Sequence, residues 1–188
     1  MRVVAIGGGT GLSTVLHGLK PYARGAPPLD LTAVVTVTDD GGSSGRLRRE
    51  FDVLPPGDIR NCMLALSEDE ALLARLFRYR FARGRGLKGH SFGNLFLTAL
   101  AHVTGDFPSA VQLSSEVLAI VGRIYPSTTA NVALEARLED GSRAQGETRI
   151  SRSRARIQSI VLKPRRCPPL PETLEAIARA DLITLGPG

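Results

Sequence analysis

The chain has 188 residues, of which 43% are hydrophobic and 22% charged, enough for one substantial core of ordinary globular composition. No apolar run approaches the roughly 20 residues that span a bilayer, and the N-terminus enters a strand without a signal-peptide pattern, so no membrane partner is expected. The formal net charge of +6 admits anionic partners without choosing among them. Cys62 and Cys167 form no metal-ligand pair and read as packed thiols of a reduced compartment.

Val3 to Ile6 is an apolar, β-branched run of strand length. Gly7-Gly8-Gly9-Thr10-Gly11 interrupts it, and Leu12, Val15, Leu16 and Leu19 then take the spacing of one helix face. A strand, a glycine turn and a helix aim open backbone N–H groups at an anion, and the first helical turn adds partial positive charge. Gly8, Gly9, Thr10 and Gly11 are therefore the expected phosphate seat. A tight strand-to-helix turn without a ligand would show the same pattern. The spacing is neither GxGxxG, since Leu12 stands where the third glycine belongs, nor a P-loop.

Leu31 to Val37 is a second buried strand, completing a βαβ unit whose strands should pair in parallel. It runs into Thr38-Asp39-Asp40-Gly41-Gly42-Ser43-Ser44-Gly45-Arg46, which is expected to be a loop beside the first turn, because ligands of open α/β sheets sit beyond the carboxyl ends of the strands. Asp39 or Asp40 can hold a ribose hydroxyl, or bind magnesium through water. Ser43, Ser44 and Arg46 can contact phosphate oxygens. An exposed Asp-Gly turn is the plainer reading.

Next, Pro56-Gly57 is a turn, Asp58 is a candidate N-cap, and Arg60 and Asn61 fall in the first helical turn, where they can face a ligand. Asp69 to Phe81 reads as an amphipathic helix with Leu72, Leu73, Leu76, Phe77 and Phe81 on its buried stripe. Its other face and its tail are basic. A solvated surface explains that better than nucleic acid, since the aromatic residues here are needed in the core. Gly89-His90-Ser91-Phe92-Gly93-Asn94 precedes an apolar helix; His90, Ser91 and Asn94 are candidate anion contacts, and Ser91 alone would serve as a cap. His17 and His102 sit within helices and read as packing or surface residues.

Phe107 to Val121 is predicted helical. Val132 to Leu138 alternates with period two and turns at Glu139-Asp140-Gly141-Ser142 into a second strand through Ile150, an antiparallel hairpin. Ile157 to Leu162 is a strand, Pro171 to Ala180 a helix with Leu174, Ile177 and Ala178 inward, and Leu182 to Leu185 a last strand ending in Gly186-Pro187-Gly188. That ending has the form of another anion turn lacking its helix, so Gly186 joins the candidate ligand residues and the chain is expected to be cut within a strand–loop–helix unit. The expected fold is a single Rossmann-like α/β domain over 1–188, a mostly parallel sheet with flanking helices, carrying an antiparallel hairpin and strand insertion over 130–162.

Taken together, Gly7-Gly8-Gly9-Thr10-Gly11, the run from Val35 to Arg48, Pro56-Gly57-Asp58-Ile59-Arg60-Asn61, Gly89-His90-Ser91-Phe92-Gly93-Asn94-Leu95, Tyr125-Pro126-Ser127-Thr128 and Ala180 to Gly188 resemble the gluconeogenesis factor family (YvcK), relatives of 2-phospho-L-lactate transferase (CofD). The departure is length, since members of that family run well past Gly-Pro-Gly. The resemblance implies a cytoplasmic protein that binds a UDP-sugar such as UDP-N-acetylglucosamine and regulates cell shape and growth on gluconeogenic carbon. Its transferase cousins work with magnesium in deazaflavin coenzyme synthesis, which keeps a transferase as the alternative. No other cofactor is implied, and self-association is left open.

Overall fold

Alternation places Val3 and Ala5 on one face of the first strand and Val4 on the other, and all three are buried. A strand covered on both faces belongs inside a parallel sheet, and that is where the computed structural model, which describes residues 1–68 and 72–187, places it. The strands β1 (Arg2–Gly7), β2 (Asp30–Val35), β3 (Arg123–Pro126) and β7 (Leu182–Leu185) form one parallel sheet in the order β3-β2-β1-β7. The register pairs Gly7 with Val35, so the carboxyl ends of β1 and β2 are level.

The helix α1 (Gly9–Ala23) returns the chain from β1 to β2. Its Leu12 and Leu16 are fully buried and share a core with Val3, Ala5, Leu31, Ala33 and Val35 of the strands. Into the same core go Ile59, Cys62, Met63 and Leu66 of α3 (Pro56–Leu66), Leu97 of α5 (Phe92–Thr104), and Phe107 and Val111 of α6 (Phe107–Val117). Burial pushes the Cys62 thiol well above its ordinary range, as expected of a packed cysteine.

Several local expectations are corrected. The stretch after Gly41 is no loop: α2 (Gly42–Phe51) begins there, with Ser43, Ser44, Gly45 and Leu47 buried. Asp58 caps nothing. Pro55 is the N-cap of α3 and makes no side-chain cap bond, while Asp58 lies within the first turn. The start of the predicted helix at Asp69 lies outside the described residues; α4 runs Leu72–Arg78 and buries Ala74 and Phe77, leaving Leu72, Leu73 and Leu76 exposed. The chain then straightens, and Arg80 bridges antiparallel to Ser91. The helix expected to reach Val121 stops at Val117, and β3 follows it unforeseen, its four residues being too few to show a period. In α8 (Pro171–Ala178) it is Thr173 that is buried, and its hydroxyl donates to the Pro126 carbonyl, while Leu174 is exposed.

The insertion is a three-stranded antiparallel layer in the order β5-β4-β6, built from β4 (Ala133–Leu138), β5 (Arg143–Gln145) and β6 (Ile157–Lys163). The predicted second hairpin strand is only three residues long. Gly146, at φ +91°, turns the chain into α7 (Glu147–Arg152), whose Ile150 packs with Ala136 and Leu138. Arg48 ties the layer to α2, donating through Nε to Asn131 Oδ1 (2.7 Å) and through its second guanidinium nitrogen to the Val132 carbonyl. Among the described residues no helix is long and apolar enough to cross a membrane.

Candidate functional site

The carboxyl end of β1 gives Gly7, Gly8 in extended backbone (φ −148°, ψ 169°) and Gly9 at φ +56°. Leu12 N–H closes onto the Gly8 carbonyl at 3.3 Å, so the donors ahead of it form the open N-terminal turn of α1. The glycines answer two different needs. A Cβ on Gly8 would stand 2.2 Å from Thr36 Oγ1, whereas Gly9 needs the left-handed conformation that side chains disfavour. A Cβ on Gly9 would meet only Asp58 Oδ1, at 3.7 Å, so it would project into the space between the turn and that carboxylate.

Two further loops converge here. Thr36, following β2, donates its N–H to the Gly7 carbonyl (2.8 Å), and Gly186, following β7, donates to the Ile6 carbonyl (2.9 Å). Carboxylates line the opposite side. Asp39 accepts from the Gly41 N–H at 2.8 Å. The Asp58 carboxyl is pushed up to about 6, first by burial and then by the negative charge of Asp39, against a lowering hydrogen bond from the Gly9 N–H. Glu147 is likewise raised, by burial, Asp39 and Asp40, and accepts from the Thr38 hydroxyl at 3.3 Å. Asp40 points to the insertion: its Oδ1 accepts the Thr148 N–H (2.9 Å) and hydroxyl (2.7 Å).

The remaining candidates form a buried polar shelf rather than an exposed ring. Ser43 Oγ and His90 Nδ1 are 2.8 Å apart. His90 is shifted down by burial and by the charge of Arg46, so the neutral imidazole is favoured. Ser44 Oγ accepts the Gly57 N–H (3.1 Å), and Arg46 donates to the Lys88 carbonyl (2.7 Å). Ser91 does cap α5, accepting from the Asn94 N–H at 3.3 Å, and its hydroxyl also receives an N–H of Arg60. Arg60 donates in addition to Asn61 Oδ1 (2.6 Å), and its buried Nε and the buried Asn94 Oδ1 find no partner among the described residues.

Thus the structure brings Gly8, Gly9, Thr10, Gly11, Asp39, Asp58 and Gly186 to one edge of the sheet. It sets Ser43, Ser44, His90, Ser91 and Asn94 beneath as a scaffold and turns Asp40 aside. Sequence reasoning misses Glu147, which no local signal links to Thr38, 109 residues away. It also misses Ser13, Thr14 and His17, which continue Thr10 as a polar stripe on α1 whose helical spacing is readable beneath the apolar one.

Among the described residues no group of three or more His, Cys, Asp or Glu is placed to hold a metal ion. The Asp39–Asp58 pair still suits magnesium, which keeps most of its waters and needs one or two carboxylates plus phosphate oxygens.

The family described as 2-phospho-L-lactate transferase CofD matches residues 3–188. A Nostoc sp. protein is 55% identical over 187 residues, covering 100% of this chain and 40% of the relative. The gluconeogenesis factor of Bacillus subtilis is 50% identical over 187 residues, with 100% and 57% covered. A crystal structure of a Bacillus halodurans protein superposes with a TM-score of 0.93 at 48% identity, covering 100% of this chain and 58% of that one. The chain therefore spans 40% to 58% of the length of these relatives.

Proposed function

The chain belongs to the CofD family, and from that premise we propose that it binds a nucleotide-sugar of the UDP-N-acetylglucosamine kind as a regulator rather than as a catalyst. In the cell this binding would serve cell shape and growth on gluconeogenic carbon, in the cytoplasm. The name gluconeogenesis factor, carried by its Bacillus subtilis relative, supports the metabolic part of this reading.

One observation carries the proposal. At the β1–α1 turn the backbone is bare at Gly8 and Gly9, the helix N-terminus supplies donors, and the Asp58 carboxylate lies against it, accepting the Gly9 N–H, with Asp39 beside Asp58. The N–H groups of Thr10 and Gly11, which Asp58 does not occupy, would hold the pyrophosphate. Asp39 would accept from sugar or ribose hydroxyls, which carboxylates recognise by charge-assisted hydrogen bonds. Isothermal titration of the chain with UDP-N-acetylglucosamine tests it. Gly9→Val fills the seat and should abolish binding; Gly9→Ala, smaller and less strained, should weaken it with the circular dichroism spectrum unchanged. Affinity unaltered in both variants would overturn the proposal.

The second reading, a magnesium-dependent transferase, is favoured by the Asp39–Asp58 pair, because two mutually opposed carboxylates are relieved by a cation. Magnesium held there would neutralise phosphate charge. Product formed from labelled UDP-sugar and magnesium favours this reading, and tight binding without product favours the regulator.

A further inference from the structure

Next to the glycine turn, which it shares through Thr10, lies a concavity whose other lining residues the nucleotide-sugar reading does not use. It is a groove of about 470 Å³. Thr10, Ser13, Thr14 and His17 line it from α1, Arg60 and Asn61 from α3, Arg78 from the end of α4, and Arg80 from the stretch that follows.

The chemistry of this lining is one-sided. Three guanidinium groups and an imidazole meet three hydroxyls, and none of the described lining residues is acidic. Arg60 is 92% buried, from its 8% exposure. Its bonds go to the neutral Ser91 hydroxyl and the Asn61 amide oxygen, and its Nε has no partner among the described residues. Arg80 is held in place by donating to the Gly89 carbonyl at 2.6 Å. Its positive charge makes the Arg60 guanidinium easier to deprotonate, after burial, which does most. Asp58 and Asp39 offset part of that repulsion from outside the groove, and a buried guanidinium beside a second one is balanced further when an anion joins them. Arginine forks fit a phosphoryl group in two-pronged fashion, and hydroxyls supply the remaining donors.

We propose that this groove is a phosphoryl-binding site: Arg60, Arg78 and Arg80 hold the phosphate of a small molecule, with Thr10, Ser13 and Thr14 completing its hydrogen bonds. The site does not require a nucleotide at the glycine turn. Thr10 belongs to both places, however, so the phosphoryl group can be part of a ligand spanning both or of a separate molecule.

The test is titration of the chain with inorganic phosphate, followed by phosphorus-31 NMR and calorimetry, on wild type, Arg80→Gln and Arg78→Gln/Arg80→Gln. Arg78 and Arg80 are exposed, so these changes should leave circular dichroism intact, and Arg80→Lys keeps the charge as a further control. Loss of charge-assisted bonds should weaken phosphate binding by about tenfold or more in the double variant. Lysine should restore part of it. If UDP-N-acetylglucosamine affinity falls in parallel and phosphate competes with it, one ligand spans both places. If only phosphate binding falls, the groove serves a separate phosphorylated molecule. Phosphate that binds all variants equally, or does not bind wild type, overturns the site. UDP-N-acetylglucosamine failing to bind while phosphate remains sensitive to Arg80 would sink the nucleotide-sugar reading alone.

Discussion

Asp40 and Thr148 are 108 residues apart in sequence, yet one carboxylate oxygen of Asp40 accepts both the backbone N–H and the hydroxyl of Thr148, at 2.9 and 2.7 Å. A carboxylate at the first turn of α7 satisfies a donor that the helix leaves open and complements the positive end of its dipole. A Cβ on Gly146 would fall 1.9 Å from the other oxygen, so the glycine before α7 is required for the approach.

Thr148→Val removes one of those two bonds. Both partners are half-buried, and the loss should cost about 1.5 kcal/mol of stability in urea unfolding, the lower end for bonds to charged groups. Hydrogen exchange should quicken across α7, and affinity for UDP-N-acetylglucosamine should stay unchanged. A large loss of affinity would show that Asp40 serves the ligand as well as the fold.

Asp58 makes folding pH-dependent in a direction opposite to that of most carboxylates. Its folded value of about 6 lies above the ordinary 3.8, so the folded state holds the proton more tightly. The penalty is complete above pH 6 and disappears as pH falls through 6 to below 4. Roughly two units at 1.36 kcal/mol each put it on the order of 3 kcal/mol. Asp58→Asn, which keeps an acceptor for Gly9, should therefore raise the thermal midpoint at pH 8 and have little effect at pH 4. Equal stabilisation at both pH values would contradict this.

His90 acts in the other sense. Its folded value lies below 6.5, so the unfolded chain takes the proton first and folding loses stability as pH falls below that point. NMR of the His90 ring should show titration at lower pH than that of an unperturbed imidazole. Ser43→Ala, which removes the hydroxyl at Nδ1, should alter the ring shifts.

Gly8→Ala should cost about 1–3 kcal/mol, the usual range for overpacking, because the new methyl meets Thr36 Oγ1 at 2.2 Å. Thr36→Ala removes the obstructing atom. Stability should therefore return in Gly8→Ala/Thr36→Ala, while binding of UDP-N-acetylglucosamine remains impaired by the methyl at the turn. A double variant no more stable than Gly8→Ala would place the strain elsewhere.

What the order of residues determined by itself was local and periodic. The run Val3 to Ile6, the glycines and the Leu12–Leu16 spacing specify strand, turn and helix because burial of an apolar stripe and freedom of φ are properties of neighbouring residues. The resemblance carried by the motifs from Gly7 to Asn94 held for the same reason. Tertiary structure alone decided which polar groups are spent on the fold. Asp40 goes to Thr148, Ser43 to His90 and Ser44 to Gly57. It also decided that Glu147 joins Asp39, and that Arg60 and Arg80 line one groove. Such pairings join distant parts of the chain, and their energies depend on burial and separation, which exist only once the sheet has set its loops side by side.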